Sequence, residues 1–134
     1  MRVLTLVLAL TAGAAQADIW TFETPSTNIQ CVVGLDFEFS DLTCTIIEKG
    51  GTPPIPRPTS CGADWGHTFF MNDTGSVQML CEPLNPIRGA QHIAEYGVTG
   101  EFGGFVCHSS TSGLECRNTD GHGFFLSRAV QRVY

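Results

Sequence analysis

At 134 residues and 43% hydrophobic content, the chain can fill one core and is too short for several. Its 13 acidic residues outweigh 7 basic ones for a formal charge of −6, which argues against a phosphate backbone as partner. Lys49, Arg57, Arg88, Arg117, Arg128 and Arg132 are also scattered, apart from the last two, so no basic stripe forms for nucleic acid.

Residues 1–17, MRVLTLVLALTAGAAQA, carry Arg2, then an apolar run from Val3 to Ala15, then Ala15-Gln16-Ala17. That order is the signature of a removable signal peptide, with small residues where a signal peptidase cuts, and its shortness points to a bacterial source. A buried amphipathic helix would need a polar face, and between Val3 and Leu10 only Thr5 is polar. The run is shorter than the roughly 20 residues that span a bilayer, and no cysteine follows it to take a lipid. Cleavage removes Arg2 and no acid, leaving residues 18–134 as a single disulfide-rich β domain of net charge about −7. The product is expected to be periplasmic or secreted, soluble and monomeric.

All six cysteines lie in that domain, and an even number in a small exported chain reads as three disulfides. Six cysteines permit fifteen connectivities. Pairing in chain order, Cys31 with Cys44, Cys61 with Cys81 and Cys107 with Cys116, is expected because each pair flanks one hairpin or loop. Closing loops of this length removes about 3 kcal/mol each from the unfolded chain's entropy. The absence of C-x-x-C spacing argues against zinc.

In chain order, Ile19–Thr24 alternates apolar and polar residues and reads as a strand that enters a turn at Pro25. Asn28–Gly34 and Leu42–Ile47 follow as strands, with the acidic stretch 35–41 between them. Gly50–Thr59 holds four prolines, so it reads as an extended surface connection. Gly66–Asn72 and Ser76–Glu82 make a hairpin about the turn Asn72-Asp73-Thr74-Gly75. Ala90–Tyr96 is assigned a helical turn, ended by the glycine-rich stretch 97–104. Phe105–Ser109, Gly113–Arg117 and Gly123–Arg128 complete the strands. So many short strands imply an all-β fold, a small antiparallel sandwich or barrel stapled by three disulfides. The two hairpins Cys31–Cys44 and Cys107–Cys116 share a plan that would place them at opposite ends of the sheet.

Two segments carry a resemblance. Thr24, Pro25, Ser26, Asn28, Ile29 and Cys31 open the domain. Gly113, Leu114, Cys116, Asn118 and the run Gly121-His122-Gly123-Phe124, then Leu126-Ser127-Arg128, close it. Together they resemble the opening and closing signatures of an uncharacterised family of exported bacterial proteins, known only as a domain of unknown function. Cys44, Cys61, Trp65, Cys81 and the pair Tyr96-Gly97 fit between them. The chain departs from the pattern at Thr27, where a glycine is common, and at Glu115, where a threonine is common. The resemblance implies compartment, cysteine use and one domain, and carries no activity.

The most distinctive stretch is Gly121–Arg128. Two glycines around His122 would let backbone approach a ligand, with Asp120 orienting the imidazole and Ser127 or Arg128 nearby. The competing reading, a tight turn feeding a strand with Phe124 and Leu126 on one face, is favoured. A Ser-His-Asp set could be drawn from Ser112 or Ser127, His108 or His122, and Asp64 or Asp120, but no G-x-S-x-G elbow nominates a nucleophile. His67, His92, His108 and His122 show no metal-ligand spacing, and Glu38, Asp41, Glu48, Glu82, Glu95 and Glu101 read as solvated. Trp20, Trp65 and the phenylalanines read as core. The expectation is therefore a non-enzymatic binding domain of the cell envelope with no cofactor and no metal, whose partner is a protein or another envelope ligand. Its candidate binding residues are Ser112, Asp120, His122, Ser127 and Arg128. The alternatives are a hydrolase and a lysozyme-inhibitor-like protein inserting Ser109–Gly113 into an enzyme cleft.

Overall fold

The computed structural model describes residues 18–134, so the expected signal peptide at 1–17 lies outside the described residues. The described residues form eleven strands and no helix. In order these are β1 (Asp18–Glu23), β2 (Ile29–Leu35), β3 (Ser40–Ile46), β4 (Thr68–Asn72), β5 (Gln78–Leu80), β6 (His92–Ile93), β7 (Thr99–Phe102), β8 (Phe105–Ser110), β9 (Gly113–Arg117), β10 (Gly123–Leu126) and β11 (Gln131–Val133). They assemble into a six-stranded sheet, β5-β4-β3-β2-β1-β6, and a five-stranded meander, β11-β10-β9-β8-β7.

The alternation of side chains decides which faces meet. In β3 every second residue from Ser40 to Ile46 is buried, and β8 buries Phe105, Cys107 and Ser109 while exposing Val106 and His108. These inner faces share one core, in which Phe69 of the first sheet lies 5.8 Å from Phe124 of the second, ring centre to ring centre. Both rings are fully buried, so truncating either to alanine would cost about 3–5 kcal/mol. The fold is a sandwich of two sheets.

The three disulfides pair in chain order. Cys31 stands opposite Cys44 in the β2–β3 ladder and Cys107 opposite Cys116 in the β8–β9 ladder, and all four are buried. The two stapled hairpins do not occupy opposite ends of one sheet. Each sits inside its own sheet, so their sulfurs form part of the shared core. Cys61–Cys81 instead ties the end of the proline-rich connection to the residue after β5.

Three further expectations need correction. Ala90–Tyr96 holds no helical turn, because Thr21 and Gln91 exchange backbone and side-chain hydrogen bonds of 3.0 Å that lay the chain along β1. His92 and Ile93 then pair in parallel with Phe22 and Glu23, the one parallel pairing among the described strands. Phe37 and Phe39 are 87% and 67% exposed at the tip between β2 and β3 and do not belong to the core. Finally, β10 stops at Leu126, since Ser127 turns the chain back by accepting from and donating to the backbone of Val130. Among the described residues no helix is long and apolar enough to cross a membrane.

Candidate functional site

The loop from Thr24 to Ile29 connects β1 to β2 and is held by its own polar residues. The Thr24 amide donates to the Ile29 carbonyl at 3.0 Å, and the Thr27 amide donates to the Thr24 carbonyl at 2.8 Å. Thr24 and Asn28 are buried, and their side chains are correspondingly bonded, Thr24 Oγ1 to Ser26 Oγ at 3.1 Å and Asn28 to the backbone of Glu48. Ser26 remains exposed.

The segment after β10 approaches the same place from the other sheet. Arg128 accepts the Gly50 amide on its carbonyl at 2.7 Å, and its guanidinium donates to Glu48 Oε2 at 2.8 Å. Glu48 therefore contacts the opening loop through its backbone and the closing segment through its carboxylate. Both side chains of this ion pair are more than 60% exposed, so it contributes about 0–1 kcal/mol and leaves other guanidinium donors free for solvent or a partner.

Between the two segments lies a cleft of about 340 Å³. Its principal polar walls are Thr24 and Ser26 of the opening loop, Ser112 of the β8–β9 turn, Tyr96, and Ser127 with Arg128. Three of the five residues expected at a binding site, Ser112, Ser127 and Arg128, are thus brought together. The described lining offers hydroxyls, backbone and one guanidinium, a set suited to hydrogen bonding with a polar or acidic group. It contains no histidine or carboxylate.

Asp120 and His122 do not line this cleft. They belong to a knot around Asn118, whose buried side chain donates to the carbonyls of Asn72 and Gly75 and accepts from the amides of Asp120 and His122. Asp120 accepts from the Gly75 amide at 2.7 Å instead of orienting the imidazole, and His122 Nδ1 faces the Tyr134 carbonyl at 3.4 Å. The flanking glycines also have local reasons. Gly121 takes φ 79° in the turn, and a Cβ at Gly123 would collide with the Cys116 carbonyl of the neighbouring strand. The turn-and-strand reading of this stretch is the one that its contacts support.

The residues drawn into a hydrolytic set have other bonds. Asp64 accepts from the Leu84 amide, His108 pairs with Thr99 Oγ1 at 2.8 Å, and Ser127 Oγ donates to the Val130 carbonyl. Among the described residues no hydrogen bond joins one member of the set to another, and no three His, Cys, Asp or Glu side chains gather as metal ligands. In the stretch Ser109–Gly113, Ser109 is only 1% exposed and points into the sandwich, so the freely presented tip is Thr111 and Ser112.

Sequence reasoning missed Thr24, Ser26 and Tyr96 as cleft walls and read Glu48 only as surface. The signal for the first two was the polar run TPSTN placed directly before an apolar strand. No curated protein and no solved structure matches the chain. The comparison that does match covers residues 2–134, and by it the chain belongs to a family of unknown function (DUF6636).

Proposed function

We propose that this protein is an exported, non-enzymatic binding domain that works at the cell envelope as a monomer and engages a protein partner through the cleft between the opening loop and the β8–β9 turn. The observation that carries this reading is the convergence of Ser112, Ser127 and Arg128 with Thr24, Ser26 and Tyr96 on one polar cleft, although they are far apart in sequence. The absence of imidazole and carboxylate from the described lining supports binding over acid–base catalysis there. A scaffold of two sheets with a disulfide inside each holds such a cleft in place at little entropic cost on binding. The excess of acid over base in the sequence leaves Arg128 as a local cationic contact for an acidic group on the partner.

Site-specific photo-crosslinking in the envelope tests this. A photoreactive residue at exposed Thr111 should yield one discrete adduct, whereas the same residue at Glu101, on the edge strand β7, should not. Ser112→Arg, which fills the cleft mouth, should reduce the adduct at least about tenfold. Equal labelling from both positions, or an adduct indifferent to Ser112→Arg, would remove the cleft from consideration.

A further inference from the structure

A second cavity lies inside the sandwich, between the free edges of the two sheets. β6 covers β1 only at Phe22 and Glu23, and β7 ends the opposing sheet, so the sheets are not closed over Trp20. The space is about 230 Å³, with Phe22, Cys107, Ser109 and Leu114 as buried walls and His92, Ile93, Glu95 and Val98 exposed at its mouth. Gly100 helps create it. This glycine is on the inward face of β7, and a Cβ there would meet nothing closer than the Phe102 ring at 3.8 Å.

Three features define what would fit. The first is aromatic: Trp20 and Phe102 stand edge to face at 4.9 Å, and Phe22 and Phe102 do so at 5.8 Å, a packing that an additional ring can extend. The second is the single buried polar side chain, since His92 and Glu95 lie exposed at the rim. Ser109 donates its amide to the Val98 carbonyl and accepts the Gly97 amide, yet its buried hydroxyl has no partner. A buried hydroxyl without a partner is costly, and one oxygen on a bound molecule would supply what is missing. The third is size and charge: an apolar cavity of about 150 Å³ takes up benzene, so this one holds a substituted single ring, and its buried walls offer nothing to compensate an ion.

We propose that this cavity is a binding site for a small neutral phenol, with its ring among Trp20, Phe22 and Phe102 and its hydroxyl bonded to Ser109 Oγ. The site is separate from the polar cleft and stands or falls independently of it.

Amide chemical shifts of the oxidised protein, titrated with phenol and separately with benzene, test the proposal. Phenol should produce saturable shifts at Ala94, Gly100 and Ser109. Ser109→Ala, which removes a hydroxyl that has no partner in the folded protein, should leave the fold intact, weaken phenol about fivefold and leave benzene unchanged. Gly100→Val, a β-branched residue on an edge strand facing open space, should abolish binding of both while preserving the dispersed spectrum. Absence of saturation by phenol, equal phenol affinity in Ser109→Ala, or undiminished binding in Gly100→Val would each overturn it.

Discussion

Asn28 and Glu48 bind each other as two strands would, with the side chain of one replacing a backbone. Asn28 Nδ2 donates to the Glu48 carbonyl at 2.9 Å and its Oδ1 accepts from the Glu48 amide at 2.8 Å, while the Ile47 amide donates to the Asn28 carbonyl. The ladder between β2 and β3 ends at Ile29 and Ile46, so this pair carries it two residues further and fixes the wall of the cleft. Asn28→Asp keeps the acceptor and loses the donor, setting a carboxylate against the Glu48 carbonyl in a buried position. The expected loss is about 2 kcal/mol at neutral pH, read from the shift in urea midpoint. An unchanged midpoint would show that the pair does not anchor the loop.

Thr27 is the only residue other than glycine with positive φ among the described residues, at 61°. A β-branched side chain in the left-handed region costs about 1–2 kcal/mol, and a glycine loses about 0.5–1 kcal/mol through its freer unfolded chain. Thr27→Gly is therefore expected to stabilise the protein by about 0.5–1 kcal/mol, which thermal unfolding would register as a raised midpoint.

The sequence made most of the fold legible and little of the site. β3, β8 and β9 alternate over at least five residues, and each of them, like β2, carries a cysteine, so pattern and covalent pairing agree. β6, β7 and β11 were not legible, since they have two to four residues each and owe their conformation to a neighbouring strand. The same dependence hid the cleft. Ser112, Ser127 and Arg128 stood out individually, but Thr24 and Tyr96 join them only because the sheets stack, which no local pattern records. Asp120 and His122 adjoin these residues in sequence but lie outside the cleft, because their bonds run to the β4–β5 turn and Tyr134.

That division predicts opposite outcomes for two adjacent substitutions. His122→Gln removes an imidazole whose one polar contact is long, so stability should change by less than about 0.5 kcal/mol and partner crosslinking at Thr111 should persist. Gly123→Ala places a methyl group against the Cys116 carbonyl, within a ladder that also pairs Gly123 with Tyr134, and should cost about 3 kcal/mol. Loss of the crosslink in folded His122→Gln would restore the histidine to the binding site.

On the outer face of the second sheet, burial raises the Tyr134 phenol above its ordinary value and Glu115 adds to the rise, against the opposing effect of Arg117 stacked 4.6 Å from the ring centre. A phenol with a raised value in the folded state holds its proton more firmly there than in the unfolded chain. Its contribution to stability is complete below about pH 10, the unfolded value, and is lost as pH rises through the folded one. Unfolding measured from pH 8 to 11 should show this alkaline decline, and Tyr134→Phe should flatten it. An identical decline in the variant would assign the effect to other groups.

Exposure sets the order in which the disulfides yield to reductant. Cys31, Cys44, Cys107 and Cys116 are 0–5% exposed within the core, whereas Cys81 is exposed and its partner Cys61 stands at the edge of burial. A thiolate must reach a sulfur in line to exchange with it, so Cys61–Cys81 should open first under mild reductant. Opening it releases the segment between Gly50 and Cys61 from β5 but leaves the β2–β3 and β8–β9 ladders paired and their sulfurs covered. Alkylation followed by mass mapping should find Cys61 and Cys81 modified while the other four remain joined, with the β-sheet circular dichroism retained. Early modification of Cys107 or Cys116 would mean that the sandwich opens as readily as its surface loop, against the burial that the two sheets share.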